Sequence, residues 1–281
     1  MDADIGRLLE EWPHEPGKLN VRMIRTDDGD ERLQIRLDLG ILQMHVDGRP
    51  DGARPDGFES LLELFEARVD AGMSRDDGAG PPDQAPPEDA DAGSEMDRDF
   101  DGESGPVTRF TAEECQALRD EAVQYYHRYL SLLALEEFER VIRDTSRNLR
   151  VVELVGKHGE DEEERSSMEP FRPSITMMRA RALASLAMRD NETKAALLAL
   201  DEGLDALHRH FEQRGELDQY VQSSEVHMLQ SMREALVPKL PVSQKAELTE
   251  RLEQALEQEN YRLAAILRDE LELIERRSKP Q

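Results

Sequence analysis

Cysteine and aromatic residues are scarce in this chain of 281 residues. The single cysteine, Cys115, excludes an internal disulfide bond and any zinc site built from cysteine pairs, and it suits a reducing compartment. Aromatic residues make up 5% of the chain and charged residues 35%, which disfavours one large conventional core. The length is instead sufficient for two modest domains.

Long apolar runs are also missing from the sequence. No stretch approaches the roughly 18 consecutive apolar residues that a membrane helix needs. The first residues, MDADIGRLLEEW, lack both the basic segment and the apolar stretch of a secretory signal. We therefore expect a soluble, cytoplasmic protein that does not bind a membrane.

Basic residues are few, with 36 Lys and Arg against 62 Asp and Glu. A nucleic-acid interface needs clustered Lys and Arg, so the net charge of -26 argues against direct binding of nucleic acid. The sequence also has no glycine-rich loop followed by Lys and Ser or Thr, the pattern that holds nucleotide phosphates. These absences predict a protein without a cofactor.

A change in composition at residues 70–107 divides the chain. This stretch contains six Gly, five Pro, twelve Asp or Glu and two Arg, so it cannot offset the entropy that ordering would cost. We predict a disordered acidic linker there, between a small domain at 1–69 and a helical domain at 108–242 that precedes a hairpin at 243–281. A flexible chain of this length spans roughly 30 to 37 Å, so we expect the two halves to move independently.

The segment before the linker alternates apolar and polar residues, as strands do. A short helix over Asp4–Glu11 is predicted to end before Pro13, and three alternating runs follow. The runs are Leu19, Val21 and Met23, then Leu33, Ile35 and Leu37, then Leu42, Met44 and Val46. They predict a three-stranded antiparallel meander, with the first turn at 27–30.

A two-residue turn at Leu39-Gly40 would set the pairing of the second and third strands. The predicted pairs are Leu37 with Leu42, Ile35 with Met44 and Leu33 with Val46, all on one face of the sheet. The helix Phe58–Val69 has apolar residues at helical spacing, and we expect it to cover that face.

Beyond the linker, the pattern is typical of helices throughout. Thr111 and Glu114 form a capping box that opens the first helix, Ala112–Leu133. The acidic run Glu160–Glu164 is predicted to be a solvated loop. The further predicted helices are Glu136–Val155, Pro173–Arg189, Glu192–Arg214 and Glu216–Val237.

Two stretches of these helices have spacings that resemble half-formed tetratricopeptide repeats. Tandem repeats of this kind need about 34 residues, whereas the corresponding Ala122 and Ala180 are 58 residues apart. Tyr126 is also bulky where that family has a small residue. A plain helical bundle and a repeat-like array both remain open, and both predict an all-α interaction surface.

The motifs that could carry chemistry each have a simpler interpretation. His208 and His210 are two residues apart on a helix and point about 160° away from each other, so they predict no metal site. Three Asp-Gly pairs, at 47–48, 51–52 and 56–57, lack the spacing of a calcium loop and predict three turns. Cys115 is predicted to be a small apolar core residue.

The last part of the chain, Leu248–Arg277, reads as two helices joined at Glu259-Asn260. The apolar residues of the first helix form one stripe roughly 100° wide, whereas those of the second spread over roughly 180°. Packing one helix on the other would leave part of the wider face uncovered. A hairpin this short is too small to be stable alone, so it needs either a partner or the helices of its own protein to cover it.

This hairpin resembles the UVR motif that the bacterial repair proteins UvrB and UvrC share. The resemblance is carried by Leu252, Ala255, Glu259-Asn260-Tyr261, Ala264-Ala265 and Leu267-Arg268-Asp269-Glu270. The segment RLDLGILQMHVDGRPDG at 36–52 is similar to the N-terminal segment of bacterial UVR-motif proteins, and that similarity implies no activity.

What the resemblance implies is a docking module. The implied partners are a second copy of the chain, UvrB or UvrC, or a ClpC-type unfoldase with its regulators. Arg268 could clamp a carboxylate on the partner while Asp269 meets a basic group. The residues expected to contact the partner are Tyr261, Leu263, Ala264, Leu267, Arg268, Asp269, Leu271 and Ile274.

The predicted fold is an α+β N-terminal domain, made of a helix, a three-stranded antiparallel meander and a second helix, followed by an all-α region that ends in the UVR-like hairpin. The predicted function is that of a non-enzymatic adaptor in DNA repair or protein quality control. The alternative is an enzyme with a site of dispersed carboxylates in the N-terminal domain, although no nucleophile, base and orienting group occur at a recognisable spacing.

Overall fold

A computed structural model describes residues 5–72, 109–236 and 244–257, together with 263, 267 and 268. This part of the chain is mostly helical and has a small three-stranded antiparallel sheet near its N-terminal end, an α+β arrangement as predicted. The chain divides into two compact units, Met1–Gln230 and Ser231–Gln281. The predicted disordered linker lies outside the described residues from position 73 onward.

The first unit begins with helix α1, Gly6–Glu11, and continues into the sheet. Its strands are β1, Val21–Arg25, β2, Glu31–Leu37, and β3, Gly40–His45. They lie in the order β1-β2-β3 with antiparallel neighbours, which confirms the predicted meander.

The register of β2 against β3 differs from the prediction. Leu37 pairs with Gly40, Ile35 with Leu42 and Leu33 with Met44, so the turn is at Asp38-Leu39 and the predicted register is wrong by two residues. A shift of two leaves every side chain on its predicted face, because side chains alternate with a period of two.

The Arg36 side chain accounts for this turn. Its guanidinium donates hydrogen bonds to the carbonyl oxygens of Leu37, Asp38 and Gly40, and its Nε donates to the carbonyl oxygen of Trp12 at 2.8 Å. Carbonyl groups of a tight turn that would otherwise rely on water are thereby satisfied within the fold. Apolar alternation carries no information about such a contact.

Helix α2, Leu61–Asp70, begins at Ser60, whose hydroxyl accepts a hydrogen bond from the Glu63 backbone N–H. The expectation that this helix covers the sheet is wrong. Its buried residues Leu62 and Phe65 belong to a core cluster with Phe110, and the two aromatic rings meet edge to face at 4.9 Å.

The helical region starts with α3, Ala112–Ala134, and its predicted capping box is confirmed, since Thr111 and Glu114 each accept the other's backbone N–H. No described helix is long and apolar enough to cross a membrane. The helices that follow are α4, Phe138–His158, α5, Glu162–Ser166, α6, Arg172–Arg189, α7, Thr193–Gln213, α8, Leu217–Gln222, and α9, Ser224–Leu236.

One loop prediction and one helix prediction need correction. The run Glu160–Glu164 is not simply a loop, because the Asp161 carboxylate accepts the Glu164 backbone N–H at 2.8 Å and starts α5. The predicted single helix Glu216–Val237 breaks at Ser223, which has extended backbone angles. The Ser223 hydroxyl accepts the Val226 backbone N–H at 3.3 Å and so caps α9.

The sheet packs directly on the helical region. In sequence order α3 packs on α4, α4 on α6 and α6 on α7. The apolar side of the sheet shares a core cluster with these helices, formed by Leu33, Ile35, Met44 and Val46 of the sheet and Tyr129, Leu132, Val141, Met178 and Ala182 of α3, α4 and α6. The expectation that the two halves move independently is therefore wrong, because a fixed apolar interface joins them.

Helices α6 and α7 lie close together at Gly203. A Cβ atom built there would lie 2.5 Å from Ala180 Cβ and 3.1 Å from Leu229 Cδ1, distances at which the neighbours must shift. By contrast, a Cβ at Gly156 of α4 would meet its nearest atoms at 3.8 Å, an ordinary contact. Glycine at 203 therefore sets the spacing of this helix pair.

Gly203→Ala is expected to lower the free energy of unfolding by about 1 to 2 kcal/mol. The clash costs about 1 to 3 kcal/mol, and the better helix propensity of alanine returns up to about 1. Gly156→Ala is the matched control and should be neutral or stabilising. Urea denaturation of both variants measures the difference, and equal stabilities would contradict the close packing at Gly203.

Candidate functional site

The predicted docking segment lies in the second unit, which contains helix α10, Gln244–Glu257. Three of its predicted contact residues are described, namely Leu263, Leu267 and Arg268, and all three are helical. The others, Tyr261, Ala264, Asp269, Leu271 and Ile274, lie outside the described residues.

Apolar side chains around the predicted turn of this segment fall into two sets. Ala255 and Leu267 are buried, with 1% and 4% of their surface exposed. Leu256 on α10 is 49% exposed and Leu263 is 39% exposed. Some apolar surface of this segment is therefore covered within the chain, and some is partly exposed.

A buried ion pair joins α3 to α4 in the first unit. The guanidinium of Arg128 donates to both oxygens of Asp144, at 2.7 and 2.8 Å, and both residues are almost fully buried. The remaining Arg128 nitrogen donates to the carbonyl oxygens of His45 and Gly48, at 3.0 and 2.7 Å. Arg128 thus fastens the end of the sheet to the helices, which identifies a structural role for this charge.

A second buried carboxylate, that of Glu121, holds the start of α2. It accepts the Leu61 backbone N–H at 2.8 Å and a hydrogen bond from Arg147. The Tyr125 ring lies between two guanidinium groups, 4.6 Å from that of Arg128 and 4.1 Å from that of Arg147. Burial lowers the pKa of Arg147 to about 9. This network was not predicted from the sequence. Charged residues on the otherwise apolar faces of α3 and α4 were the feature that could have indicated it.

Several described carboxylates of the N-terminal segment are held in ion pairs. Each of several pairs with a basic side chain: Glu15 with Lys18, Glu31 with Arg140, Asp47 with Arg143 and Glu66 with Arg150. The hydrogen bond from Arg143 lowers the pKa of Asp47. A general acid or base works best with a pKa near the operating pH, so this lowered pKa does not suit either task.

Cys115 and the three Asp-Gly pairs have the structural roles that their patterns predicted. Cys115 is fully buried in the core beside Phe110, and burial raises its pKa to about 11. Gly48, Gly52 and Gly57 have φ values of 63°, 77° and 88°, which fits three turns. His208 is about half exposed, whereas His210 approaches Glu169. Among the described residues, no group of three His, Cys, Asp or Glu could hold a metal ion.

A polar groove of about 600 Å³ runs between α6 and α7, with part of α4 along one side. Its lining includes four arginines and three glutamates. Arg172 makes a two-point ion pair with Glu169, at 2.7 and 2.8 Å, and this pairing lowers the pKa of Glu169. Burial lowers the pKa of the neighbouring His210. This groove was not predicted from the sequence.

An apolar groove of about 620 Å³ lies between α3 and the start of α6. Tyr126 lines it and is 40% exposed, so part of its ring borders the groove. Val123 and Phe171 line the same groove and are more than half exposed.

Comparison of the chain with protein families, curated proteins and solved structures found no match. The UVR-like resemblance at 248–277 therefore stays a prediction, as does the repeat-like spacing of α6 and α7.

Proposed function

We propose that the protein is a non-enzymatic adaptor that docks on a protein partner, or on a second copy of itself, through its C-terminal segment. The observation that carries this proposal is the exposed apolar surface on both sides of the predicted turn, at Leu256 and Leu263. A leucine left nearly half exposed loses part of the free energy that its burial would contribute, about 25 cal/mol per Å². A partner that covers both leucines would recover it.

The size of the segment supports the same proposal. A two-helix hairpin of about 30 residues is below the length at which a chain buries enough area to be stable alone. The buried Ala255 and Leu267 show that part of its apolar surface is already covered within the chain. By resemblance, the partner would be UvrB, UvrC or a ClpC-type unfoldase, each of which works with a UVR motif.

Charge placement favours an adaptor over the alternative enzyme. The buried charges Glu121, Arg128 and Asp144 are used in bonds that hold the sheet and α2 on the helices. The carboxyl groups of Glu15, Asp47, Glu139, Glu169 and Glu225 have lowered pKa values, which keeps them ionised at neutral pH. An acid catalyst of the dispersed-carboxylate type would instead need a raised pKa.

The double variant Leu256→Asp with Leu263→Asp tests this proposal directly. We expect the double variant to weaken self-association, or binding to purified UVR-motif proteins, by about tenfold or more, because a charge would enter the apolar centre of the interface. Sedimentation velocity reports the oligomer, and titration calorimetry with UvrB, UvrC or a ClpC-type unfoldase reports the partner.

The matched control is Leu198→Asp, since Leu198 is a helical leucine on α7 with 59% exposure. It introduces the same charge on the other unit and should leave association unchanged. An unaltered oligomer and unaltered partner affinities in the double variant would show that this segment is not the docking site.

A further inference from the structure

The polar groove between α6 and α7 follows α7 over several turns. Its lining includes the small residues Ala180, Ala199, Gly203 and Ala206. Its lining on α7 continues to Gln213, and the fourteen-residue step from Ala199 corresponds to about 21 Å of helix. An extended peptide advances about 3.4 Å per residue, so about six residues would fill this length.

The groove is much less acidic than the chain as a whole. Four arginines, Arg172, Arg179, Arg209 and Arg214, line it against three glutamates, Glu153, Glu169 and Glu202. Glu216 offsets one more of these arginines, so the basic and acidic groups of the groove are about equal in number, whereas the chain has a net charge of -26. An anionic ligand is therefore repelled less by the groove than by a surface with the average charge of this protein.

Two of the arginines are already engaged by neighbouring carboxylates. Arg172 pairs with Glu169, and Arg214 donates to Glu216 at 3.2 and 3.4 Å. Their charges are largely balanced within the fold, so they contribute to the walls of the groove more than to binding.

The other two arginines are positioned to bind. Arg179 donates its Nε to the Ser146 hydroxyl at 2.9 Å, which orients the group, and within the described part of the chain its two terminal nitrogens make no hydrogen bond. Arg209 is exposed on α7 and forms no ion pair with a described residue. A guanidinium held in this way offers parallel N–H donors that match the two oxygens of a carboxylate.

We propose that this groove binds an extended peptide segment that bears carboxylate side chains, with Arg179 and Arg209 as its main contacts. Thr176 and Gln213 line the groove as well and supply groups that can bond to a peptide backbone. Glu202 also lines the groove, and its negative charge opposes an acidic ligand. This site is distinct from the docking segment proposed above, so each can fail without the other.

The binding test uses an acetylated, fluorescein-labelled hexapeptide of alternating Asp and Gly, with the Asn-Gly peptide as the matched ligand control. Fluorescence anisotropy at low and high salt should show binding of the Asp peptide that weakens as salt is raised, because salt screens exposed charges. The Asn peptide should bind at least about tenfold more weakly, as expected when charge-assisted hydrogen bonds are lost. Equal binding of the two peptides, or no binding of the Asp peptide up to about 1 mM, would overturn the proposal.

Variants locate the site on the protein. Arg179→Gln and Arg209→Gln should each weaken binding of the Asp peptide by about tenfold. Glu202→Gln should strengthen its binding by about threefold. Arg7→Gln removes the same charge from a side chain that is 89% exposed and outside the groove, and it should have no effect. Circular dichroism checks that each variant is folded. Because Arg209 is exposed, Arg209→Gln still tests the proposal if Arg179→Gln misfolds. If Arg7→Gln weakens binding as much as Arg209→Gln does, the attraction is not local to the groove and the proposal is wrong.

Discussion

Replacing Arg128 with methionine is expected to lower the free energy of unfolding by about 3 to 5 kcal/mol. The substitution leaves the carboxylate of Asp144, which is 0% exposed, without the guanidinium that donates to both of its oxygens. It also removes the hydrogen bonds to the carbonyl oxygens of His45 and Gly48, so the end of the sheet loses its attachment to α3. Asp144 then keeps one hydrogen bond, from Arg143 Nε at 3.1 Å, and a buried charge that loses its main partner is among the most costly single changes in a protein.

Urea denaturation with linear extrapolation measures this loss. The control is Arg140→Met, because Arg140 pairs with Glu31 and Glu137 at a partly exposed position, where such pairs contribute less than about 1 kcal/mol. The double variant Arg128→Met with Asp144→Leu should be more stable than Arg128→Met alone, since it removes both buried charges together. If Arg128→Met costs no more than Arg140→Met, the buried pair does not hold the sheet.

Cutting the chain between residues 72 and 109 is expected to leave the two pieces bound to each other. A protease site inserted within residues 73–108 would place the described residues 5–72 and 109–236 on different pieces. Leu33 of the sheet and Tyr129 of α3 are fully buried in one cluster, and Phe65 of α2 and Phe110 lie in another. Both clusters cross the cut, so the native contacts do not depend on the covalent connection.

A large loss of stability is expected when either piece is produced alone. Residues 1–72 by themselves would expose the apolar face of the sheet and the buried side of α2, and a segment of this length has little other core to rely on. We expect this piece to show no cooperative unfolding, whereas mixing it with 109–281 should restore a cooperative transition. Size exclusion of the cut protein should give one peak under native conditions and two in urea. Cooperative unfolding of 1–72 alone would show that its interface with the helices is not needed for folding.

Local structure followed from the sequence because it depends on residues that are close in the chain. The capping box at Thr111 and Glu114, the alternation that made β1 to β3, and the turns at Gly48, Gly52 and Gly57 all rest on short-range geometry. The faces of the strands were also predictable, since a shift of two residues in register does not move a side chain across the sheet.

What covers each apolar face was decided only by the tertiary structure. Alternation showed that Leu33 and Ile35 face a core, but it did not distinguish α2 from α3 as the neighbour, because both helices present an apolar stripe. In the same way, Arg36 donates hydrogen bonds to the carbonyl oxygens of the turn between β2 and β3. Arg128 donates a hydrogen bond to the carbonyl oxygen of His45, which is more than 80 positions away in the chain. Helical and strand periodicity are properties of a segment, so the sequence alone determined most of the elements, although α5 and the break at Ser223 were missed. Packing partners and buried ion pairs depend on residues far apart in sequence, and for that reason only the tertiary structure decided how the elements are joined.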